Sequence, residues 1–363
     1  MSGLPRESSA AGSPRRGAPL SDQVAELVSP HQTGLDPAPR PRLSGRRTRE
    51  ILAAYGFLTP WLVGLIGLTF GPMFYSLYLS FTRYNLLTPP RWQGLANYQE
   101  MINDERLHKS IEVTLVYVVI AVPAILVVSL AVAMVLNRGM RFLSFYRAAF
   151  YLPSLVGASV AVALLWRQLF AGDGVLNALL RVFGIEGRTW IGDPDTAMYT
   201  LVLLSVWTFG SPMIIFLAGL RQVPRDLYEA AEVDGAGRSR RFLNVTLPIL
   251  SPLIFFNVLL TTVNSFQVFT PAYVVSEGSG GPADSTLFYT LYLYQRGFTN
   301  LDMGYASAMA WALLVVLGVF TAVMFATSRF WVYYGDERRP RRPSRRRHRC
   351  CGRCSAASLP AAP

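Results

Sequence analysis

Residues 221–252 read RQVPRDLYEAAEVDGAGRSRRFLNVTLPILSP, a charged interval lying between two long apolar runs. Pro224 suits the first turn of a helix, where its missing N–H costs nothing. Residues 224–234 are good helix formers, and Gly235 can adopt the left-handed conformation that ends a helix. The spacing predicts a second short helix over Arg238–Val245, stopping at Pro248. The segment is thus expected to form a low helix–turn–helix on a membrane surface. Ala230 and Ala231 leave room for close contact, and Glu229 and Asp234 offer carboxylate acceptors. Residue chemistry alone leaves two readings open: a lever moved by a partner, or an amphipathic helix resting on anionic lipid.

The flanking runs decide the fold. Uncharged intervals cover 51–82, 113–137, 148–166, 196–220, 242–276 and 303–328. Crossing hydrocarbon takes about 20 residues of helix, so each interval can reach across. The chain of 363 residues is 52% hydrophobic and only 15% charged, whereas soluble domains carry about a quarter charged residues. One such interval fits a buried soluble helix, but six in succession do not. The expectation is an all-α polytopic membrane protein with six transmembrane helices and a surface helix between the fourth and fifth.

The net charge of +12 follows topology rather than nucleic-acid binding. Arginines gather before the first span (Arg46, Arg47, Arg49), in the second loop (Arg138, Arg141, Arg147), in the 221–241 loop and after Arg329. Positive charge marks the cytoplasmic side, which places the 221–252 loop and both termini there. The loop 83–112, with four basic and four acidic residues, carries no such bias. Arginine predominates and Lys109 is the single lysine, which fits a GC-rich bacterial genome and a bacterial inner membrane.

Three divisions follow: a disordered cytoplasmic segment 1–45, a six-helix membrane domain 46–335, and a basic disordered cytoplasmic tail 336–363. Spans are expected near 51–80, 112–136, 147–170, 196–220, 250–270 and 304–328. Pro60 and Pro72 should bend or interrupt the first. Asp193 or Asp195 could cap the fourth. Small residues at Gly304–Ala308 should let the sixth approach a neighbour closely. Cys350, Cys351 and Cys354 lie near His348 without the paired ligand spacing of a zinc site, so no metal or other cofactor is expected.

Glu229-Ala230-Ala231, Asp234-Gly235-Ala236, Phe242 and Leu247-Pro248, followed by Pro252, resemble the signature loop of permease subunits of binding-protein-dependent ABC importers. Gly94-Leu95-Ala96-Asn97-Tyr98, Gly174 with Asn177, and Gly304-Tyr305-Ala306 are similar to the sugar and glycerol-phosphate branch. The resemblance covers residues 50–330. It implies a carbohydrate pathway, two ATP-binding subunits, a second permease subunit, in such families often nonidentical, and an extracytoplasmic solute-binding protein. Glu229, Ala230, Ala231, Asp234, Gly235 and Ala236 would form the coupling helix and its turn, docked in the ATPase.

The chain itself should not hydrolyse ATP. Lys109 lacks the glycine-rich Gly-x-x-x-x-Gly-Lys context that cradles phosphates. The fifth span carries a polar stripe instead: Asn257, Thr261 and Asn264 share one helical face, with Gln267 nearby. Polar groups in hydrocarbon must be paired or face a wet cavity. The stripe therefore either lines a pathway or bonds helices together. A six-span secondary transporter or channel, or a noncatalytic membrane scaffold, are the alternatives.

Overall fold

The computed structural model describes residues 44–333 apart from Met140 and Ala158, with side chains from Arg49 onward. Of the expected disordered segment 1–45, residues 1–43 lie outside the described residues, as does the tail 336–363 with its three cysteines, and Ser44 and Gly45 begin a helix. The chain divides between Thr69 and Phe70 into two units.

The first unit contributes helix α1 (Ser44–Gly64) and the start of a π-helical stretch, Leu65–Phe70. Its apolar side chains, Leu52, Phe57 and Leu68 among them, are exposed. Such a helix suits lipid rather than water. Pro60 is held inside α1, and the interruption comes at the π-helical stretch, with Pro72 in the first turn of the helix that follows.

The second unit begins with α2 (Gly71–Ser80) and a two-residue hairpin, β1 (Thr82–Arg83) antiparallel to β2 (Arg91–Trp92). Asn97, on α3 (Ala96–Asn103), donates through its amide to the carbonyls of Ser80 and Thr82. This ties the hairpin down in the stretch where charge gave no guidance. The long helix α4 (Glu105–Leu136) follows, capped by Asp104, whose carboxylate accepts the N–H groups of Arg106 and Leu107. Pro123 lies inside it.

The expected third and fourth spans are each broken in two. Helices α5 (Leu143–Val156) and α6 (Val160–Leu169) meet at 96°. Pro153 weakens the end of α5, and Ser159 starts α6 as its cap, accepting from the Val162 N–H. After α7 (Val175–Val182), α8 (Pro194–Trp207) and α9 (Gly210–Gln222) meet at 43°. Pro212 has no N–H to offer the Thr208 carbonyl one turn back, so the ladder opens there. Asp193 is the cap of α8, accepting from Asp195 N–H at 3.0 Å.

Helix α10 (Arg225–Val233) precedes a helical run without a stop: α11 (Arg238–Arg241), π-helical Phe242–Thr246 and α12 (Leu247–Phe266). The expected termination at Leu247-Pro248 does not occur. Pro248 falls in the first turn of α12, and the preceding π-helical turn accommodates its missing donor. Helices α13 (Thr270–Val275), α14 (Tyr289–Tyr294), a π-helical turn at Gln295–Thr299 and α15 (Met303–Trp331) complete the described residues.

Among the described residues, four helical stretches are long and apolar enough to cross a membrane: Arg49–Ser80, Glu105–Leu136, Arg238–Val275 and Met303–Trp331. The total is six when each bent pair counts as one span. Lipid gives helices no hydrophobic reason to associate, so close packing and buried hydrogen bonds hold them. Two buried clusters do this. One joins α4 (Tyr117, Val118, Ala121) to α8 (Leu201) and α15 (Tyr305, Met309). Within it Tyr117 and Phe288 meet edge to face at 4.9 Å between centroids. The other joins the far end of α4 (Ala133, Leu136) to α9 (Met213, Phe216, Leu217) and α12 (Leu250).

Candidate functional site

A cavity of about 470 Å³ opens between α4, α8–α9 and α12. The four residues of the fifth-span stripe, Asn257, Thr261, Asn264 and Gln267, all border it. They are not equivalent. Asn257 is 2% exposed and donates its amide to the Leu253 carbonyl at 2.9 Å, so it is engaged with its own helix. Thr261, Asn264 and Gln267 have no side-chain hydrogen-bond partner among the described residues, and Asn264 and Gln267 are exposed. Their donors and acceptors remain available to whatever enters.

The facing wall was not singled out from sequence. Ser205, Thr208 and Ser211 line it from α8, the break and α9. Their spacing of three residues was a legible signal, since such positions share one side of a helix. Thr208 Oγ1 donates to the Ser205 carbonyl at 2.8 Å. Tyr117 reaches the same wall from α4, its hydroxyl bonded to Ser205 Oγ. No charged side chain lines the cavity among the described residues. Its chemistry is that of hydroxyls and amides on an apolar background, fit for an uncharged hydrogen-bonding surface.

The loop residues lie apart from this cavity, and a continuous helical run from α11 into α12 links the two regions. Helix α10 ends where the sequence suggested. Gly235 has φ +73°, its N–H donates to the Glu232 carbonyl at 3.0 Å, and the Ala236 N–H donates to Ala231 at 2.9 Å. That pair of bonds is the Schellman arrangement, in which a left-handed residue satisfies the last helical carbonyls. Two ties fix α10 to the next segment: Tyr228 Oη with Thr246 Oγ1 at 2.9 Å, and Arg241 with Glu232 at 3.0 Å. Glu229, Ala230, Asp234 and Gly235 are exposed, and Ala231 and Ala236 are half-buried. Leu227 and Val233 also project outward. An apolar and acidic face is thereby held at a fixed angle.

A third cluster emerges only in three dimensions. Asp104 Oδ2 accepts from Tyr292 at 2.6 Å, Tyr305 at 2.7 Å and Arg296 at 3.2 Å. The Arg296 guanidinium also pairs with Glu100 at 2.6 Å and stacks 4.1 Å from the Tyr305 ring centre. Burial works to raise the Asp104 carboxyl, but the hydrogen bonds from Tyr292, Tyr305 and Leu107 N–H, with the Arg296 charge, hold it below its ordinary value. Burial and the bond to Asp104 push the Tyr292 hydroxyl up, so it stays a donor. The cluster joins the start of α4 to α14 and α15.

Comparison with known proteins gives a consistent picture. The family model described as "Binding-protein-dependent transport system inner membrane component" matches residues 106–333. The probable ABC transporter permease protein YesP of Bacillus subtilis (strain 168) is 51% identical over 288 residues, covering 79% of this chain and 93% of the relative. The lactose transport system permease protein LacF of Rhizobium radiobacter is 32% identical over 244 residues, 66% of this chain and 82% of the relative. Among solved structures, a chain of a bacterial alginate ABC transporter, in complex with an alginate pentasaccharide-bound periplasmic protein, aligns with TM-score 0.67. The alignment has 20% identity and covers 78% of this chain and 96% of that one. At that identity the likeness speaks to the fold.

Proposed function

Because the chain belongs to the family of binding-protein-dependent transport system inner membrane components, we propose that its cavity is part of a carbohydrate pathway driven by ATP hydrolysis in partner subunits. The chain is a multi-pass membrane protein and a translocation component. The observation that carries the substrate class is the cavity wall: Thr261, Asn264 and Gln267 face Ser205, Thr208 and Ser211 without a charge among them. A sugar offers hydroxyls that both donate and accept, and its ring faces suit the apolar remainder of the wall. A relative that carries lactose, a neutral sugar, in its name supports the same class.

In this reading α10 and its turn, Glu229 to Ala236, form the coupling helix that enters a cleft in an ATP-binding subunit. Its exposed Leu227, Glu229 and Val233 support a protein partner, because apolar and acidic groups together suit a protein cleft better than anionic lipid. Two ATP-binding subunits, a second permease subunit and an extracytoplasmic solute-binding protein complete the assembly. Positive charge in 221–241 supports a cytoplasmic loop in a bacterial inner membrane. ATP can bias the pathway only through differential affinity for its two states.

The test is reconstitution of the chain with its companion subunits in liposomes, supplied with a pool of neutral and acidic di- and trisaccharides and read by mass spectrometry. ATP-dependent accumulation of a saccharide is the expected result. Assembly and ATP hydrolysis with no saccharide taken up would overturn the substrate class. A chain that recruits no ATP-binding subunit would overturn the coupling role.

A further inference from the structure

Two buried clusters share the long helix α4 and the α8–α9 run, and the cavity is lined from the same helices. On α4 the fully buried members of one cluster reach as far as Ile125, with Leu201 and Val202 of α8, and half-buried Leu126 packs against both clusters. The other begins on α4 at Ala133 and takes in α9 from Met213 to Leu220. Val223 is buried in this second cluster and Tyr228 packs against it, so the loop 224–236 is fastened to that body alone of the two.

Between the clusters the α8–α9 run bends by 43°. There the ladder tightens: Thr208 N–H donates to Ser205 at 3.1 Å and Phe209 N–H to Val206 at 3.2 Å. Two glycines leave the bend room to exist. A Cβ on Gly157 would overlap the Thr208 side chain, and one on Gly210 would lie 2.5 Å from the Phe150 carbonyl oxygen and 2.8 Å from Tyr151 Cα. Ser129, on α4 between the two clusters, places its hydroxyl 2.6 Å from the Ile125 carbonyl and 3.0 Å from the Phe209 carbonyl. The hydroxyl has one proton and two acceptors. It can release Phe209 and keep a hydrogen bond to its own helix, so opening the bend strands no donor.

From this geometry we infer that the break at Thr208–Gly210 is the pivot on which the body carrying the loop 224–236 turns against the other during transport, with Ser129 as its positioning residue. The inference rests on the transport reading and adds to it the place where loop motion becomes a change in the pathway. Leu204 and Ser205 line the cavity from one side of the break, and Ser211, Pro212 and Ile215 from the other. Rotation at the break therefore moves one part of the wall past another, as hinge motions concentrate at a few terminal residues of rigid elements.

Leu203 and Ile214 flank the break and are both exposed, so each can carry a spin label. In the complete assembly in lipid nanodiscs, the distance between the labels should differ between the nucleotide-free state and the state trapped with magnesium, ADP and vanadate. Ser129→Ala should lower the saccharide taken up per ATP hydrolysed several-fold while ATP-binding subunits remain bound, and Ser129→Thr should restore it. Gly210→Ala should hold the label distance at one value in both states. If Gly210→Ala fails to assemble, the labels and the Ser129 pair still decide. An assembly that transports while its label distance is the same in both states overturns the pivot and leaves the transport reading standing, as does unchanged coupling in Ser129→Ala. An assembly that moves no saccharide overturns both.

Discussion

The Tyr305 hydroxyl donates to Asp104 Oδ2 at 2.7 Å, joining the N-terminal turn of α15 to the cap of α4. Asp104 thus closes two structures at once. Its Oδ1 accepts the Arg106 and Leu107 amides that start α4, and its Oδ2 accepts Tyr292, Tyr305 and Arg296. Replacing it leaves several donors without their acceptor.

Asp104→Asn should therefore lower thermal stability in detergent, by about 2–3 kcal/mol, the scale of a lost hydrogen bond to a charged group. The acid dependence has a defined sign. The native carboxyl is held below the ordinary value of 3.8, so unfolding takes up a proton only once the pH approaches that value. The stabilisation is complete above it and disappears as the pH falls through the lower native value. Melting curves from pH 7 down to pH 3 should show the wild type losing this part of its stability at the acid end. In Asp104→Asn that part should be missing at every pH, and equal melting of the two proteins at pH 7 would refute the assignment.

Gly304 is constrained by contact rather than by backbone angle. Its N–H donates to the Tyr84 carbonyl at 3.1 Å, and a Cβ there would overlap the Thr82 carbonyl oxygen. The obstacle is backbone held by Asn97, which cannot swing aside as a side chain could. Gly304→Ala should cost about 1–3 kcal/mol, as overpacking commonly does, read as a lower melting temperature in detergent. Gly318, on the same helix with nothing within 4 Å of an added Cβ, should accept alanine without loss.

At Gly235 the constraint is the reverse, with open space and a φ of +73°. Alanine in the left-handed region costs about 1 kcal/mol, and asparagine less, because it visits that region more readily. Gly235→Ala should speed hydrogen exchange at Gly235 and Ala236, whose amides close the turn, and weaken recruitment of the ATP-binding subunit. Gly235→Asn should do neither. Equal recruitment by all three proteins would show that the turn geometry is not what the partner reads.

The contrast between these glycines shows what the sequence could carry. Gly235 was legible because a helix stop is a local event, signalled by the helix formers before it. The apolar intervals were legible because hydrocarbon excludes charge over a fixed length. Gly304 was marked as a close-approach position, although its partner, the Thr82 carbonyl, was not. The breaks near Gly157 and Thr208 were missed although Pro153 and Pro212 stand beside them, because the room each bend needs depends on a neighbour: Gly157 fits against Thr208, and Gly210 against the Phe150 and Tyr151 backbone. Leu247-Pro248 misled for a related reason, since a proline in a first turn reads the same whether the helix begins there or continues from a π-helical turn. The Asp104 cluster draws on residues 100 to 305, and no local pattern announces it.

The polar stripe of α12 separates into two roles that mutation can distinguish. Asn257 donates to its own helix, whereas Asn264 and Thr261 border the cavity with no side-chain partner among the described residues. Removing a group bonded only to solvent or solute costs the fold little, so Asn264→Leu and Thr261→Val should leave the melting temperature unchanged. If a saccharide bonds to these groups on its way through, each loss should slow uptake about tenfold, the equivalent of one net hydrogen bond of about 1.4 kcal/mol. ATP-binding subunits should still be recruited, because α10 is untouched. Uptake at the wild-type rate in both variants would mean that the solute passes elsewhere, along walls supplied by another subunit. A fall in melting temperature matching the fall in uptake would instead mean that the stripe bonds the helices together.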